Sequence, residues 1–491
     1  MLRIPQDLLS TEQPVTNSTT NQFTNPLQSL MRRTPAIPDG ASSMDTPKHL
    51  GWLMLTAMGI GATIGAGIFA MPGMIAMKAG PAGILSFLIT GVVILFVGIC
   101  YERFSRVVPL GVSAYSYVYH SIGEVFAWIV AFGLFLEYSF GASAVSIAWS
   151  EYLKKALNYS LPAFWSGPSH INGHFHFGIN IVALSAVTVV TLICIFGGVS
   201  KSAKLNFLLV CLKLTLLLIF LVTGLKHINP ANWFPFMPKG PVGVLQGAAL
   251  AVFPYVGFDA LYTFARESKS LRDTRWATYL CVGVVALLYV SVMAVATALA
   301  PSFFNGDPGR PNPLFVGTEA AAPLAMLLGA AGENWTARLI AAGAVLGIFN
   351  VLLVLSMGGP RIFRNMAEDG LLPPIFMRTK RGNPTFGLAI NGLVVGGMAG
   401  FLPFGDIAEM MVLGTLVAFI CVCIGAIRLK LVNRFIPILG AAGCALLAAN
   451  LGPVVWKVFS ISLPCGLIIY MLYGRRHSKL AQTAAAAKQI S

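Results

Sequence analysis

Apolar runs of about twenty residues recur along the whole of this 491-residue chain. A helix needs about 20 apolar residues to cross the ~30 Å hydrocarbon core of a bilayer, where every backbone polar group must find a partner. Only 10% of the residues are charged, whereas soluble domains carry about 25%. The sequence therefore predicts an all-α polytopic membrane protein.

The apolar runs divide into twelve predicted transmembrane helices. They cover, approximately, residues 51–76, 82–101, 125–149, 178–198, 204–225, 243–265, 277–300, 338–360, 386–404, 408–427, 435–451 and 454–473. With the N-terminus inside, 24 of the 33 Lys and Arg residues fall on the cytoplasmic side, eight fall outside and Lys213 lies within a span. Because cytoplasmic loops carry an excess of Lys and Arg, we expect a plasma-membrane protein with both termini in the cytoplasm. This distribution explains the net charge of +15 without a nucleic acid partner.

The two ends of the chain differ in composition from the rest. Residues 1–47 are rich in Ser, Thr, Asn, Gln and Pro and contain no long apolar run. Such a segment buries too little apolar surface to fold, and it has no apolar core of the kind that signal peptides contain. We therefore expect a disordered cytoplasmic tail at 1–47 and a second cytoplasmic tail at 475–491.

Two of the spans contain residues that break a helix. The first contains GIGATIGAGIFAMPG (59–73), with five glycines and a proline, and the sixth contains AVFPYVGFDAL (251–261), with Pro254 and Gly257. Spans one and six are the first members of two groups of five. Because five is odd, the second group enters the membrane from the opposite side. The pattern predicts a 5+5 inverted repeat, with repeats at 48–225 and 226–430 and two extra helices at 431–474.

Interrupted membrane helices need a partner for their backbone groups. Each N–H or C=O left unpaired in hydrocarbon costs several kcal/mol. The N–H groups at the start of a half-helix attract an anion, and freed carbonyls attract a cation. A free amino acid carries both a carboxylate and an ammonium group, so it matches this pair of requirements. The alternative is that the glycines only allow close packing of helices.

Several motifs occur in the same order as in one known family. They are GIGATIGAGIF (59–69), YERFSRVVPLGVSAYSYVYHSIGE (101–124), LEYSFGASAVSIAWSEYL (136–153), FPYVGFDALYTFARES (253–268), PRIFRNMAEDGLLPPIF (360–376), LGTLVAF (413–419) and YMLYGRRHS (470–478). From about residue 50 to 479 the chain resembles the amino acid–polyamine–organocation (APC) superfamily, in its branch of cationic amino acid transporters and their bacterial relatives. The resemblance implies an APC-type fold of twelve transmembrane helices, with helices 1 and 6 unwound at the midplane.

The resemblance also implies a substrate site at the two interruptions. Backbone N–H groups would bind the substrate carboxylate, at Gly65, Ala66 and Gly67. Backbone carbonyls would bind the α-ammonium, at Thr63, Phe253, Pro254 and Val256. The ring of Phe253 would lie over the substrate as an aromatic gate.

Three residues depart from the family pattern. Ala66 stands where relatives often have a hydroxyl residue, and Pro254 replaces a small residue and removes one N–H. Arg266 stands where an acidic residue is usual. The change at Ala66 removes a possible side-chain contact to the carboxylate. Pro254 stiffens the turn in helix six, and Arg266 alters the cytoplasmic gate.

Lys213 is a charged residue deep in the fifth predicted span. A buried lysine can exchange a proton within a transport cycle. In proton-coupled members of the resembled family a lysine occupies this point of helix five, where related folds bind sodium. The resemblance therefore implies coupling to H⁺ and not to Na⁺. The alternative is a purely structural lysine paired with a carbonyl.

Two carboxylates also lie within predicted spans, Glu137 in the third and Asp259 in the sixth. The resemblance places Glu137 near the substrate cavity. There it would receive a basic substrate side chain, or, when protonated or screened by water, it would suit a small neutral substrate. We interpret Asp259 as a residue that braces helix six.

No feature of the sequence predicts an enzyme, a cofactor or a metal site. His170, His174 and His176 have a spacing that metal ligands use, but a solvated outer loop explains them better. The predicted function is a proton-coupled secondary transporter of small neutral or cationic amino acids that works by alternating access. The alternatives are an amino acid exchanger of the same fold and a transport-inactive amino acid sensor. The expected partners are the free amino acid and the lipid bilayer, and no residue pattern identifies an oligomeric partner.

Overall fold

The computed structural model describes residues 50–108, 113–171, 174–197, 203–263, 265–299, 321–380 and 383–482. The predicted tail at 1–47 lies outside these residues, as does the end of the second tail from residue 483. Within them, eight helices are long and apolar enough to cross a membrane, and four shorter apolar helices accompany them. The chain is therefore a polytopic helical membrane protein.

The first half of the described chain is helical apart from one short hairpin. Its elements are α1 (Trp52–Thr63), α2 (Gly67–Ala79), α3 (Gly83–Val107), α4 (Ala114–Ser121), α5 (Glu124–Leu157), α6 (Ala163–Ser166), β1 (Ser169–Ile171), β2 (His174–His176), α7 (Ile181–Leu192), α8 (Ala203–Leu225) and α9 (Gly240–Tyr255). A 3-10 helix follows α9 at Phe258–Thr263.

The second half continues in the same way. Its elements are α10 (Leu271–Leu299), α11 (Pro323–Ala330), α12 (Asn334–Glu368), β3 (Thr379–Lys380), β4 (Asn383–Pro384), α13 (Thr385–Phe401), α14 (Phe404–Arg428), α15 (Phe435–Ala449), α16 (Pro453–Ile469) and α17 (Arg475–His477). The strands form two small antiparallel hairpins, β1 with β2 and β3 with β4. These short pairings lie outside the apolar runs, and the described chain is otherwise helical, as the all-α prediction requires.

Each predicted span coincides with helix, and the helices generally run further than the spans. Helix α12 begins at Asn334 and ends at Glu368, whereas the predicted span covers 338–360. The extension contains Arg361, Arg364 and Glu368, which end an apolar run without ending a helix. Long charged side chains at a helix end can reach water while their backbone stays helical.

Two groups of helices make up the interior. In one group α2 and α3 pack against α9, and α10 packs against α1 and α3. In the other, α5 packs along α12 and α14, and α7 packs against α13. Close contact between α5 and α14 depends on small residues, because a Cβ atom at Gly414 would lie 2.6 Å from the carbonyl oxygen of Gly133. Without a strong apolar driving force in lipid, such small-residue contacts supply helix association.

Polar contacts join the helices at both ends of the bundle. At one end the N–H of Leu50 donates to the carbonyl of Glu267 over 2.9 Å, which ties the start of α1 to the segment after α9. At the other end, Lys78, in the last turn of α2, forms an ion pair with Glu409 of α14 over 3.3 Å. Glu409 also accepts the N–H of Gly452 over 2.8 Å.

Candidate functional site

The first helix is interrupted between Thr63 and Gly67. Helix α1 ends at Thr63, Ile64 has a non-helical ψ of 83°, and the N–H of Gly65 turns back to the carbonyl of Thr63 over 2.8 Å. Helix α2 then starts at Gly67 with no side-chain cap. Within the described residues, the N–H groups of Ala66, Gly67 and Ile68 donate to no acceptor. Three unpaired N–H groups at a helix start form a ready site for an anion.

The interruption in the first helix contacts α9 directly. A Cβ atom at Gly67 would lie 2.6 Å from the Cα of Pro254 and 3.0 Å from Cδ1 of Phe253. Only glycine allows this approach, because real Cβ contacts are not that short. Gly65 is less confined, since a Cβ atom at this position would lie 3.7 Å from its nearest neighbour, Cγ1 of Val351.

A second interruption follows α9. The helix ends at Tyr255, Val256 has ψ 136°, and Gly257 has φ +105°, a conformation that side chains rarely adopt. A Cβ atom at Gly257 would lie 2.7 Å from the carbonyl oxygen of Ala62, at the end of α1. Each interruption therefore packs a glycine against the backbone of the other.

Tyr289 of α10 links the two interruptions through its hydroxyl group. This hydroxyl lies 3.2 Å from the carbonyl oxygen of Thr63 and 2.9 Å from that of Pro254, and the side chain is fully buried. Sequence reasoning missed Tyr289, because nothing in its sequence context distinguishes it from the other aromatic residues of the spans. The only available signal was general: a buried tyrosine hydroxyl usually has a hydrogen-bond partner.

The four carbonyls predicted to meet an ammonium group differ in what they already bind. The carbonyl of Thr63 accepts the N–H of Gly65 and shares the single hydroxyl proton of Tyr289 with the carbonyl of Pro254, which lies closer to that hydroxyl. The carbonyl of Phe253 accepts the N–H of Val256 over 3.2 Å. The carbonyls of Phe253, Pro254 and Val256 therefore keep acceptor capacity in this conformation, and the carbonyl of Thr63 is the most occupied of the four. The gating role of the Phe253 ring stays a prediction.

Lys213 is attached to the first interruption. Its ammonium group donates to the carbonyl oxygen of Ile64 over 2.6 Å, and its side chain is 3% exposed. Its aliphatic stem packs on α12, where a Cβ atom at Gly347 would lie 2.9 Å from Cγ of the lysine. The lysine thus joins α8, the interruption and α12. No ion pair to Lys213 is present among the described residues.

Glu137 and Asp259 lie near each other at the second interruption. Glu137 is buried on α5, and its charge is within interaction range of Asp259. The carboxylate of Asp259 accepts backbone N–H groups around Gly257 and Ala260, which supports its predicted bracing role at the start of the 3-10 helix. The structure therefore brings Glu137 to helix six, while Lys213 contacts helix one.

Some predicted features fall outside what the structure describes. The side chains of Arg266, His170 and His174 are among them. Within the described residues, no group of three or more His, Cys, Asp or Glu side chains is arranged to hold a metal ion.

The described site can bind a small molecule that carries both charges. Unpaired N–H groups at Ala66, Gly67 and Ile68 can receive a carboxylate, and the carbonyls after Phe253 can receive an ammonium group. Lys213 and the carboxylates of Glu137 and Asp259 add ionisable groups on either side of the contact between the helices.

Comparison with known proteins agrees with this chemistry. The amino acid permease family model matches residues 50–478. The chain is 34% identical to the branched-chain amino acid permease BcaP of Bacillus subtilis, over 89% of this chain and 95% of the relative. It is 32% identical to the methylthioribose transporter of the same organism, over 92% of this chain and 100% of the relative. It is 30% identical to cationic amino acid transporter 4 of Mus musculus, over 79% of this chain and 61% of the relative. The chain therefore belongs to the amino acid permease family, within the amino acid–polyamine–organocation superfamily.

Proposed function

We propose that this protein is a proton-coupled secondary active transporter of amino acids that works by alternating access. One observation carries the proposal: the two helix interruptions contact each other through Gly67 and Pro254, beside N–H groups that have no acceptor. Paired interruptions of this kind are where transporters of inverted-repeat architecture bind their substrates. A zwitterion would complete the hydrogen bonding that the interruptions leave open.

The proposed mechanism divides the helices into two moving parts. The group that contains α1, α2, α3, α9 and α10 would rock against the group that contains α5, α7, α12 and α13. Substrate and proton must bind the two orientations with different free energies, because equal binding cannot shift an equilibrium. Contacts within one group, such as that of Tyr138 on α5 with Gly358 on α12, would stay intact during this motion.

Proton coupling is assigned to Lys213. Two observations support this assignment. The lysine is deeply buried, and it donates a hydrogen bond to the carbonyl of Ile64, which lies two residues before the first unpaired N–H group, that of Ala66. A change in the charge of Lys213 would alter the hydrogen bond that holds Ile64 and so the geometry of the neighbouring carboxylate site. No sodium ion is expected in this mechanism, because the ammonium group fills the position beside the interruption.

The substrate class is narrowed by Glu137 and by the relatives. A negative charge at Glu137 favours a cationic side chain, as in the cationic amino acid transporters, whereas its protonated form suits a small neutral one, as in the branched-chain permeases. One relative, 32% identical, is a methylthioribose transporter, so a substrate other than an amino acid is included in the test below. An exchanger of the same fold and a transport-inactive sensor are the remaining alternatives.

The proposed topology has twelve membrane crossings, formed by a 5+5 inverted repeat and two extra helices. The protein lies in the plasma membrane with both termini in the cytoplasm. The excess of Lys and Arg on the cytoplasmic side of this arrangement supports it. In this topology the end of the bundle that carries Arg361 and Arg428 is cytoplasmic, and the pair Lys78 and Glu409 is external.

The test is radiolabelled uptake by the purified protein in proteoliposomes. Unlabelled competitors should include all twenty amino acids and methylthioribose, at pH 6 and pH 8, with and without an imposed pH gradient. We expect competition by neutral or cationic amino acids and accumulation that follows the gradient. Exchange without net accumulation would favour the exchanger, and binding without any flux would favour the sensor. Competition by methylthioribose alone would contradict the proposal.

A further inference from the structure

A cavity of about 190 Å³ lies between α5, α12 and the short helix α4. Among the described residues that line it are Ser113, Tyr138, Arg361 and Asn365. This volume is larger than one ordered water needs and smaller than the roughly 300–1,000 Å³ of drug-sized ligand sites. The cavity therefore suits a small polar solute.

Arg361 gives this cavity a positive charge that has no ion-pair partner among the described residues. One turn further along α12, Arg364 pairs with Glu368 over 2.7 Å. The carboxylate of Asp369, at the end of the same helix, accepts from the hydroxyl of Tyr115 over 2.6 Å. In the described part of the chain Arg361 forms no ion pair. The acidic groups near the end of α12 are thus engaged elsewhere.

Ionisable carboxyl groups lie behind another part of the cavity lining. Tyr138 lines the cavity, and its ring packs directly against Gly358 of α12, where any side chain would overlap it. The hydroxyl of Tyr138 lies in the electrostatic field of Glu137 and Asp259 as well as that of Arg361. The cavity therefore has the guanidinium of Arg361 in its lining and ionisable carboxyl groups behind Tyr138, an arrangement that can match the two ends of a zwitterion.

We propose that this cavity is a second binding site for the transported amino acid, between the helix interruptions and the cytoplasm. The guanidinium of Arg361 receives the carboxylate in a bidentate geometry, with Ser113 and Asn365 as further polar partners. The ammonium group faces Tyr138 and the carboxylates behind it. This inference rests on the proposed function and on its topology, and it adds a cytoplasmic site that the interruptions do not supply.

The matched test compares Arg361→Gln with Arg364→Gln. Both remove one arginine from the same helix, one turn apart, but only Arg361 lines the cavity. Inside-out and right-side-out membrane vesicles from the same expressing cells give the apparent KM of L-leucine and L-lysine from each side. We expect Arg361→Gln to raise the cytoplasmic KM about tenfold and to leave the external KM within twofold. Arg364→Gln should change neither, and Arg361→Lys should fall between Arg361→Gln and the unaltered protein because a lysine keeps the charge without the fork.

Uptake from the external side shows in the same experiment that each variant is folded. A cytoplasmic KM within twofold of that of the unaltered protein would overturn the second site, as would an equal rise on both sides. Inorganic phosphate on the cytoplasmic face tests the other source of an anion. Phosphate inhibition that is lost in Arg361→Gln, with an unchanged cytoplasmic KM, would assign the cavity to phosphate or a lipid headgroup and overturn the substrate assignment. Unaltered vesicles without saturable flux of either amino acid would overturn the proposed function, and with it this role of the cavity.

Discussion

The ammonium group of Lys213 donates a hydrogen bond to the main-chain carbonyl oxygen of Ile64 over 2.6 Å. Ile64 is the residue at which the first helix loses its helical conformation, and the unpaired N–H groups begin at Ala66. A charged donor makes a stronger hydrogen bond than a neutral one, so the charge of Lys213 affects how firmly this turn is held. The contact supplies a physical route by which a proton and a substrate can influence each other.

Replacing Lys213 by Met tests this route. Methionine keeps an unbranched stem of similar length but removes the ammonium group. We expect an imposed pH gradient to lose its effect on accumulation, while exchange of labelled for unlabelled substrate continues at a reduced rate. The measurement is uptake in proteoliposomes with and without the gradient. Gradient-driven accumulation that persists in Lys213→Met would remove the proton role.

Replacing Gly347 by Ala tests the position of the lysine without changing its chemistry. The new Cβ atom would lie 2.9 Å from Cγ of Lys213, so the stem must shift. We expect gradient-driven uptake to fall two- to tenfold. The control is Gly343→Ala, whose Cβ atom would lie 2.7 Å from Leu216 on the same pair of helices, α12 and α8. An equal loss in both variants would point to general crowding of the helices and not to Lys213.

Replacing Gly67 by Ala tests the contact between the interruptions. The added methyl group would lie 2.6 Å from the Cα of Pro254, which is backbone and cannot turn aside. We expect the affinity for substrate, measured by equilibrium binding to the purified protein, to fall at least a hundredfold. Gly283→Ala on α10 is the control, because nothing lies within 4 Å of its Cβ position, and it should change affinity less than threefold. Unchanged affinity in Gly67→Ala would mean that the site lies elsewhere.

Replacing Tyr289 by Phe removes the hydroxyl that links the carbonyls of Thr63 and Pro254. The control is Tyr255→Phe, which removes a hydrogen bond of 3.1 Å from the same region to the carbonyl of Phe87. Each variant should lose about 1 kcal/mol of stability, seen as a lower midpoint of thermal unfolding. Only Tyr289→Phe should also weaken substrate binding, because only this hydroxyl holds both interruptions. The same affinity in the two variants would count against the role of Tyr289.

Replacing Glu137 by Gln tests the substrate side chain. The change removes an ionisable carboxyl group from a buried position close to Asp259 and conserves size. We expect the KM for L-lysine to rise at least tenfold and that for L-leucine to change less than threefold. Competition uptake with both amino acids gives the two values in one preparation. A similar effect on both would show that Glu137 does not read the side chain.

The membrane architecture was predictable because lipid imposes it residue by residue. Each apolar run must satisfy its own backbone, so the predicted spans and the helices of the structure coincide within a few residues at most ends. The exceptions are informative. Helix α12 continues past Arg361 to Glu368 because charge ends an apolar run but not a helix. The two hairpins were missed because four- to six-residue pairings leave no periodic signal.

The sequence alone also determined where the helices weaken, through the glycines of 59–73 and the pair Pro254 and Gly257. Those are local preferences of the backbone, and a local sequence can express them. Only the tertiary structure decided which groups meet there. Tyr289 lies 35 residues from Pro254 and 226 from Thr63, and Lys213 lies 149 from Ile64. Contacts at such separations depend on how whole helices pack, and no local pattern of residues encodes that arrangement.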